Sequence, residues 1–338
     1  MANTLGNTLE TPEALLESLI REAEHFVGGV PCDRLKTATA EFLRQAQDAP
    51  VLQGLAASRL ETLPPGAAAW LAVVLGTLVE LGAPASDSGE EVLRLFSAYV
   101  EQLPSRVANE EALPPPTTQQ ARVLAVFSVL CQSVVAHLGQ LDAHRAKLGR
   151  NRALIDRLEE LGEYGPGAAW VRAALLKSSD SLVIVHVQSG RVYELKYVNI
   201  SNCFHLFSLI QAAIGRRLPG GRTPNPAVTA AARGLSNAKV NDEAWWHYGS
   251  PVNSTPHIAA SIWGEASVLT IPTINGKQVI VLWPSLLKSR SWDSTFYDPH
   301  LDALPVDLRI VRKLSRRECA EWLSRLKIKT DRPWWKLW

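Results

Sequence analysis

Apolar residues in the first half of the chain recur at intervals of three and four, the spacing that places them on one side of an α-helix. Leu15, Leu16, Leu19, Ile20, Ala23, Phe26 and Val27 form one such stripe. Thr11-Pro12 opens it, a capping residue before a proline in the first turn, and Gly28-Gly29 closes it. A second helix is expected over 33–48 with Leu35, Phe42 and Leu43 inward, and Pro64-Pro65 opens a strongly apolar one around Trp70. Ser88 with Glu91 has the spacing of a capping box, in which each side chain satisfies a free backbone N–H of the other residue. It precedes Leu93, Phe96, Val100 and Leu103. Thr117 with Gln120 repeats that spacing before a long helix that runs through Val123, Phe127, Val134 and Leu141 to about Gly149. Shorter helices are expected over 151–161 and 167–177. Leu113 to Pro116 reads as a stiff extended spacer. No fixed repeat period is visible, which favours an irregular bundle over a solenoid.

At Ser178-Ser179-Asp180 the pattern changes. Leu182 to Val187 is a short apolar run, Ser189-Gly190 a turn, and Val192 to Val198 an alternating strand, together a hairpin. Helices are expected over 202–214 and 227–233, and 236–257 has no clear assignment. Val268 to Ile274, Asn275-Gly276 and Gln278 to Trp283 read as a second hairpin, because Asn-Gly supplies the positive φ values of a tight turn. A last strand over 306–311 and a helix opened by the capping box of Ser315 and Glu318 follow. The expected fold class is therefore α+β. An irregular α-helical bundle (1–178) precedes an α/β domain with a mostly antiparallel sheet (179–330) and a Trp-rich basic tail (331–338).

Composition narrows the classes. Hydrophobic residues make up 46% of 338 and charged residues 20%, which excludes general disorder. The start of the chain lacks the basic region of a secretory signal. The apolar run from Ala67 to Val79 spans about 13 residues, short of the roughly 20 that cross a bilayer, and predicts a buried helix. Four scattered cysteines, Cys32, Cys131, Cys203 and Cys319, show neither metal spacing nor a disulfide pattern, so a reducing cytoplasm is expected, with no metal and no cofactor. The excess of arginine over lysine fits a GC-rich bacterial genome. The net charge of +2 hides a split: residues 1–150 carry 17 acidic and 11 basic side chains, the remainder 16 and 24. Two surfaces of opposite sign suit different partners.

No motif fixes a chemistry, but four regions carry candidates. Cys203 stands at a helix N-terminus, where the dipole favours a thiolate; His205, two residues on, points elsewhere, so a base would come from His247 or His257. The competing reading makes Cys203 a small buried hydrophobe. The stretch 241–265 gathers Asp242, Glu243, Trp245, Trp246, His247, His257, Trp263 and Glu265. It is read either as an acid/base site or as a loop anchored by its tryptophans. Gly215 to Thr223 has the outline of a phosphate loop, with Arg216, Arg217 and Arg222 as anion contacts. The spacing is off by one, however, and no strand precedes it. Trp292-Asp293 and Phe296 to His300 add carboxylates and a histidine, with Asp298-Pro299 as a turn.

The tail ends with Trp334, Trp335 and Trp338 between Arg332 and Lys336. Such a segment suits folding back or docking on a protein first, an anionic membrane surface next, and nucleic acid last. The functional expectation is a non-catalytic interaction or adaptor protein of a bacterial cytoplasmic system, contacting another protein through its helical domain or its tail. The alternatives are a hydrolase or transferase built on the 241–265 loop with Cys203 as nucleophile, and a binder of anionic surfaces through the basic C-terminus.

Overall fold

The structure, a computed structural model, describes residues 11–46, 50–105, 115–252 and 255–328. Leu113 and Pro114 of the spacer and the whole 331–338 tail lie outside the described residues. The fold is α+β, and the chain divides into two compact units between Leu175 and Leu176.

The first unit is an irregular helical bundle. Its helices are α1 (Pro12–Ala23), α2 (Asp33–Ala46), α3 (Pro50–Arg59), α4 (Pro65–Glu80), α5 (Gly89–Gln102), α6 (Thr118–Gln140), α7 (Asp142–Gly149), α8 (Arg152–Leu161) and α9 (Pro166–Leu176). Thr11 caps α1 by accepting from the Ala14 N–H at 3.3 Å, and the Thr117–Gln120 capping box opens α6. Three details differ from the sequence reading. First, α1 ends at Ala23, so Phe26 is buried from the loop while Val27 is 78% exposed. Second, the single long helix to Gly149 is broken at Leu141 into α6 and α7. Third, Ser88 makes no cap: its hydroxyl accepts from Gln53 Nε2 at 2.9 Å and meets His137 Nε2 at 2.8 Å inside the bundle. The helix of greatest apolar length is α6, not the one around Trp70. Its 23 residues and mean hydropathy of 1.7 would suffice to cross a membrane by length and composition alone. Here Val123, Phe127, Leu130, Val134 and Leu138 are core residues, and Ser133 Oγ donates to the Ala72 carbonyl of α4.

The second unit contains β1 (Ser178–His186), β2 (Arg191–Ile200), α10 (Cys203–Ile214), α11 (Pro226–Ala232), β3 (Asn241–Glu243) and β4 (His247–Gly249). These are followed by β5 (Thr273–Ile274), β6 (Lys277–Trp283), β7 (Ser291–Asp293), β8 (Asp307–Lys313) and α12 (Arg316–Arg325). The main sheet runs β4-β6-β1-β2-β8, with β5 beside β6; β3 and β7 form a separate ribbon. Every pairing is antiparallel except β1 with β6. That parallel pair at the centre explains the unbroken apolar run of β1. Leu182 and Ile184 face a core with α10, while Val183 and Val185 face a core with Cys319, Leu323 and Leu326 of and beyond α12. A strand covered on both faces needs no polar alternation. The second hairpin is shorter than expected. Asn275 and Gly276 adopt positive φ (52° and 73°) as the turn requires, but Val268–Thr270 is a single 3₁₀ turn and only Thr273–Ile274 pairs back. The unassigned stretch 236–257 supplies β3 and β4. The Ser315–Glu318 capping box opens α12.

Candidate functional site

The backbone of the site is α10, which follows β2. Asn199, at φ 57°, is the penultimate residue of β2, and Asn202 caps α10 by accepting from the His205 N–H at 3.0 Å. Cys203 begins the helix as expected, but it is wholly enclosed by the core, and burial pushes its thiol up to about 12. Desolvation of the thiolate outweighs the helix dipole here, so Cys203 is protonated at neutral pH and is not poised as a nucleophile.

His205, one helical step on, is equally buried and is engaged on both ring nitrogens. Nδ1 lies 3.3 Å from Asp298 Oδ2, and Nε2 donates to the Ala232 carbonyl at 2.5 Å. Asp298 also accepts from the Ser201 backbone N–H at 2.6 Å, the Ser201 hydroxyl and Asn202 Nδ2 at 2.7 Å. Burial opposes its ionisation, but the hydrogen bond and charge of His205, with Lys177 and Ser201, outweigh it and hold the carboxyl below its usual range. Asp298 is thus an internal strut that ties the 296–300 loop to α10.

The next turns of α10 hold a polar network. Ser208 Oγ donates to Asp242 Oδ2 at 2.6 Å and receives the Tyr297 hydroxyl at 2.7 Å and Trp292 Nε1 at 3.1 Å. Gln211 Nε2 reaches both Asp242 oxygens at 3.3 Å, while its Oε1 accepts from the Tyr248 hydroxyl (2.9 Å) and the Trp245 N–H (3.0 Å). Burial raises the Asp242 pKa, and the hydrogen bonds from Ser208, Glu243 N–H and Gln211 oppose the rise. The β3–β7 ribbon places Asp242 opposite Trp292 and Asn241 opposite Asp293.

Above this network lies an open cleft of about 770 Å³, within the range of small-molecule sites. Trp245, Trp292, Phe296 and Val228 give it apolar walls, and Asp242, Glu243 and Asp293 give it carboxylates. Arg222 pairs with Glu243, and Lys239 reaches Asp293 at 3.1 Å. Of the residues singled out by sequence, Arg222, Asp242, Glu243, Trp245, Trp292, Asp293 and Phe296 line this cleft. Trp246 instead is buried, its Nε1 donating to the Pro219 carbonyl at 3.0 Å. Arg216 and Arg217 are exposed, and the Gly215–Thr223 loop is a packing device: a Cβ on Gly215 would sit 2.1 Å from the Trp245 ring. Its glycine serves close approach to an indole.

The other candidates gather around a residue that the sequence did not mark. Arg290 stacks over Trp263 (4.9 Å) and Phe207 (5.6 Å) and donates to the Ile262 carbonyl at 3.3 Å. Its charge acts on Cys203, Tyr248, His247 and Glu265. His247 is buried opposite Trp283, its Nε2 without a hydrogen-bond partner, and desolvation lowers its pKa. His257 is exposed and caps a 3₁₀ turn by accepting from the Ala259 N–H at 3.0 Å; Glu265 is exposed. A second cleft, of about 360 Å³, opens beside them, lined by Val252, Ile262, Trp263, Ala266 and Pro272. Neither cleft is lined by Cys203, His247, His257 or Glu265. Only tertiary structure could have pointed to Arg290, since its neighbours come from three separate segments: α10, β4 and the 262–265 stretch.

Among the described residues, no three His, Cys, Asp or Glu side chains cluster to hold a metal ion. Trp334, Trp335 and Trp338 lie outside the described residues. No family model matches the chain, and neither a curated protein nor a solved structure matches it.

Proposed function

We propose that this chain is a non-catalytic interaction protein, an adaptor of a bacterial cytoplasmic system, with a contact surface at the Trp263 cleft. The observation that carries this reading is an apolar cleft with unburied large side chains around it. Val252 is 79% and Trp263 42% exposed, with Arg290 stacked on the indole. Tryptophan and arginine dominate the energetics of protein contacts, and exposed apolar patches mark them. A second support is the use made of the polar groups of 241–265: Asp242, His247 and Tyr248 are tied into or buried in the scaffold, and the Cys203 thiol sits at about 12. The helical unit offers further apolar surface at Val27, Val30 and Val51. All four cysteines are free, as suits a reducing compartment.

The test is photocrosslinking in cells from a probe placed at Val252 or at Leu269, an exposed side chain next to the cleft residue Thr270. A discrete protein adduct is expected, lost when Trp263→Asp is added. Absence of any adduct from both positions, or adducts indifferent to Trp263→Asp, would overturn the reading.

A further inference from the structure

We propose that the cleft above the β3–β7 ribbon binds a quaternary ammonium group. The floor of the cleft is Asp242, whose carboxylate is held entirely by neutral donors: the Ser208 hydroxyl, the Gln211 amide and the Glu243 backbone N–H. Among the described residues no lysine or arginine pairs with it, whereas its two acidic neighbours are already served, Glu243 by Arg222 and Asp293 by Lys239. Three carboxylates therefore line the cleft against the single lining cation Arg222, and the charge left over resides on Asp242.

The kind of cation follows from how that carboxylate is already used. Both oxygens of Asp242 accept hydrogen bonds from inside the protein, so little acceptor capacity remains for the N–H groups of a primary ammonium. What the carboxylate still offers is its field, and a cation without N–H donors loses nothing by meeting only that. The walls suit the same ligand. Trp245, Trp292 and Phe296 are aromatic, and the negative face of an aromatic ring attracts an alkylated ammonium group that contacts it. These side chains are held in place before any ligand arrives. Phe296 packs on Phe204 at 5.0 Å, the Trp292 indole N–H is tied to Ser208, and the Trp245 ring sits against Gly215 while its backbone N–H is held by Gln211. Preorganised walls reduce the entropy lost on binding. A neutral sugar would gain nothing from the surplus negative charge and would find the Asp242 acceptors occupied.

The experiment is calorimetric titration of the full chain with tetramethylammonium, choline, ethanolamine and glucose. Saturable binding of tetramethylammonium and choline is expected, with ethanolamine at least about tenfold weaker and glucose silent. Asp242→Asn keeps an oxygen for the internal donors and is expected to weaken choline by about tenfold or more. Phe296→Ala, at a half-exposed position, gives a second reading should the first variant unfold, and it too is expected to weaken binding. A co-sedimentation arm with phosphatidylcholine vesicles separates the sources. Choline binding without vesicle binding assigns a free solute, binding of both assigns a lipid headgroup, and either supports the proposal. No saturable binding of either quaternary ammonium up to about 20 mM overturns it, as do ethanolamine or glucose binding as tightly, or a folded variant that binds choline unchanged.

Discussion

The Ser88 hydroxyl lies 2.8 Å from Nε2 of His137, forty-nine positions along the chain, and both are fully buried. His137 Nδ1 faces the Ser133 carbonyl at 2.7 Å and so carries the proton, which leaves Nε2 to accept from Ser88. Gln53 completes the relay by donating to Ser88 at 2.9 Å.

Replacing Ser88 with Ala would leave His137 Nε2 without its donor and Gln53 short of an acceptor, at about 1–3 kcal/mol for the lost partner. Glu91→Ala, which removes the other half of the expected capping box, should stay within about 0.5 kcal/mol. Urea unfolding of both variants decides the matter. Equal losses would restore Ser88 to the role of a helix cap.

Acid should destabilise the second unit through His186. Burial lowers its pKa to about 4 from 6.5, with the Pro219 carbonyl opposing and Arg191 reinforcing. The neutral ring donates from Nε2 to Pro219 (3.0 Å) and accepts at Nδ1 from Ser189. Because the folded pKa is depressed, the unfolded chain takes up the proton first as pH falls. The contribution is whole above about 6.5 and is lost on the way down to about 4, on the order of 3 kcal/mol. His247 and His300 are shifted the same way and add to the loss. Unfolding midpoints of the native chain at pH 7.5 and 4.5 should therefore diverge more than those of His186→Gln. Parallel behaviour of the two proteins would remove His186 as the cause.

Thiol labelling should separate the cysteines sharply. Cys32 is exposed, whereas Cys131, Cys203 and Cys319 are buried, and burial pushes all three buried thiols up. One thiol is expected to react promptly with a disulfide reagent at pH 8 in the folded chain, and four after denaturation. Fast modification of Cys203 in the native protein would revive the nucleophile reading.

Local signals survived the comparison of sequence with structure wherever local physics decides the outcome. The caps at Thr11, Thr117 and Ser315, the Asn275-Gly276 turn and the change of period near residue 180 are all settled within a few residues. Ser88 matches a local capping pattern that distant partners override, and of the two readings of Cys203 the buried hydrophobe is the one a closed core leaves standing. The candidate site was legible as a region, since Asp242 and Trp245 do line the cleft, but not as a geometry. Its other members, Phe296 and Arg222, stand 54 and 20 positions from Asp242, and no periodicity links them to it.

The parallel pairing of β1 with β6 has a kinetic corollary. Val183 sits beside Val279, so the middle of the sheet cannot be assembled by zipping neighbouring hairpins together. The stretch between them, which includes α10 and both faces of the β3–β4 region, must be looped out and folded over before that seam closes, and such long-range closures slow folding.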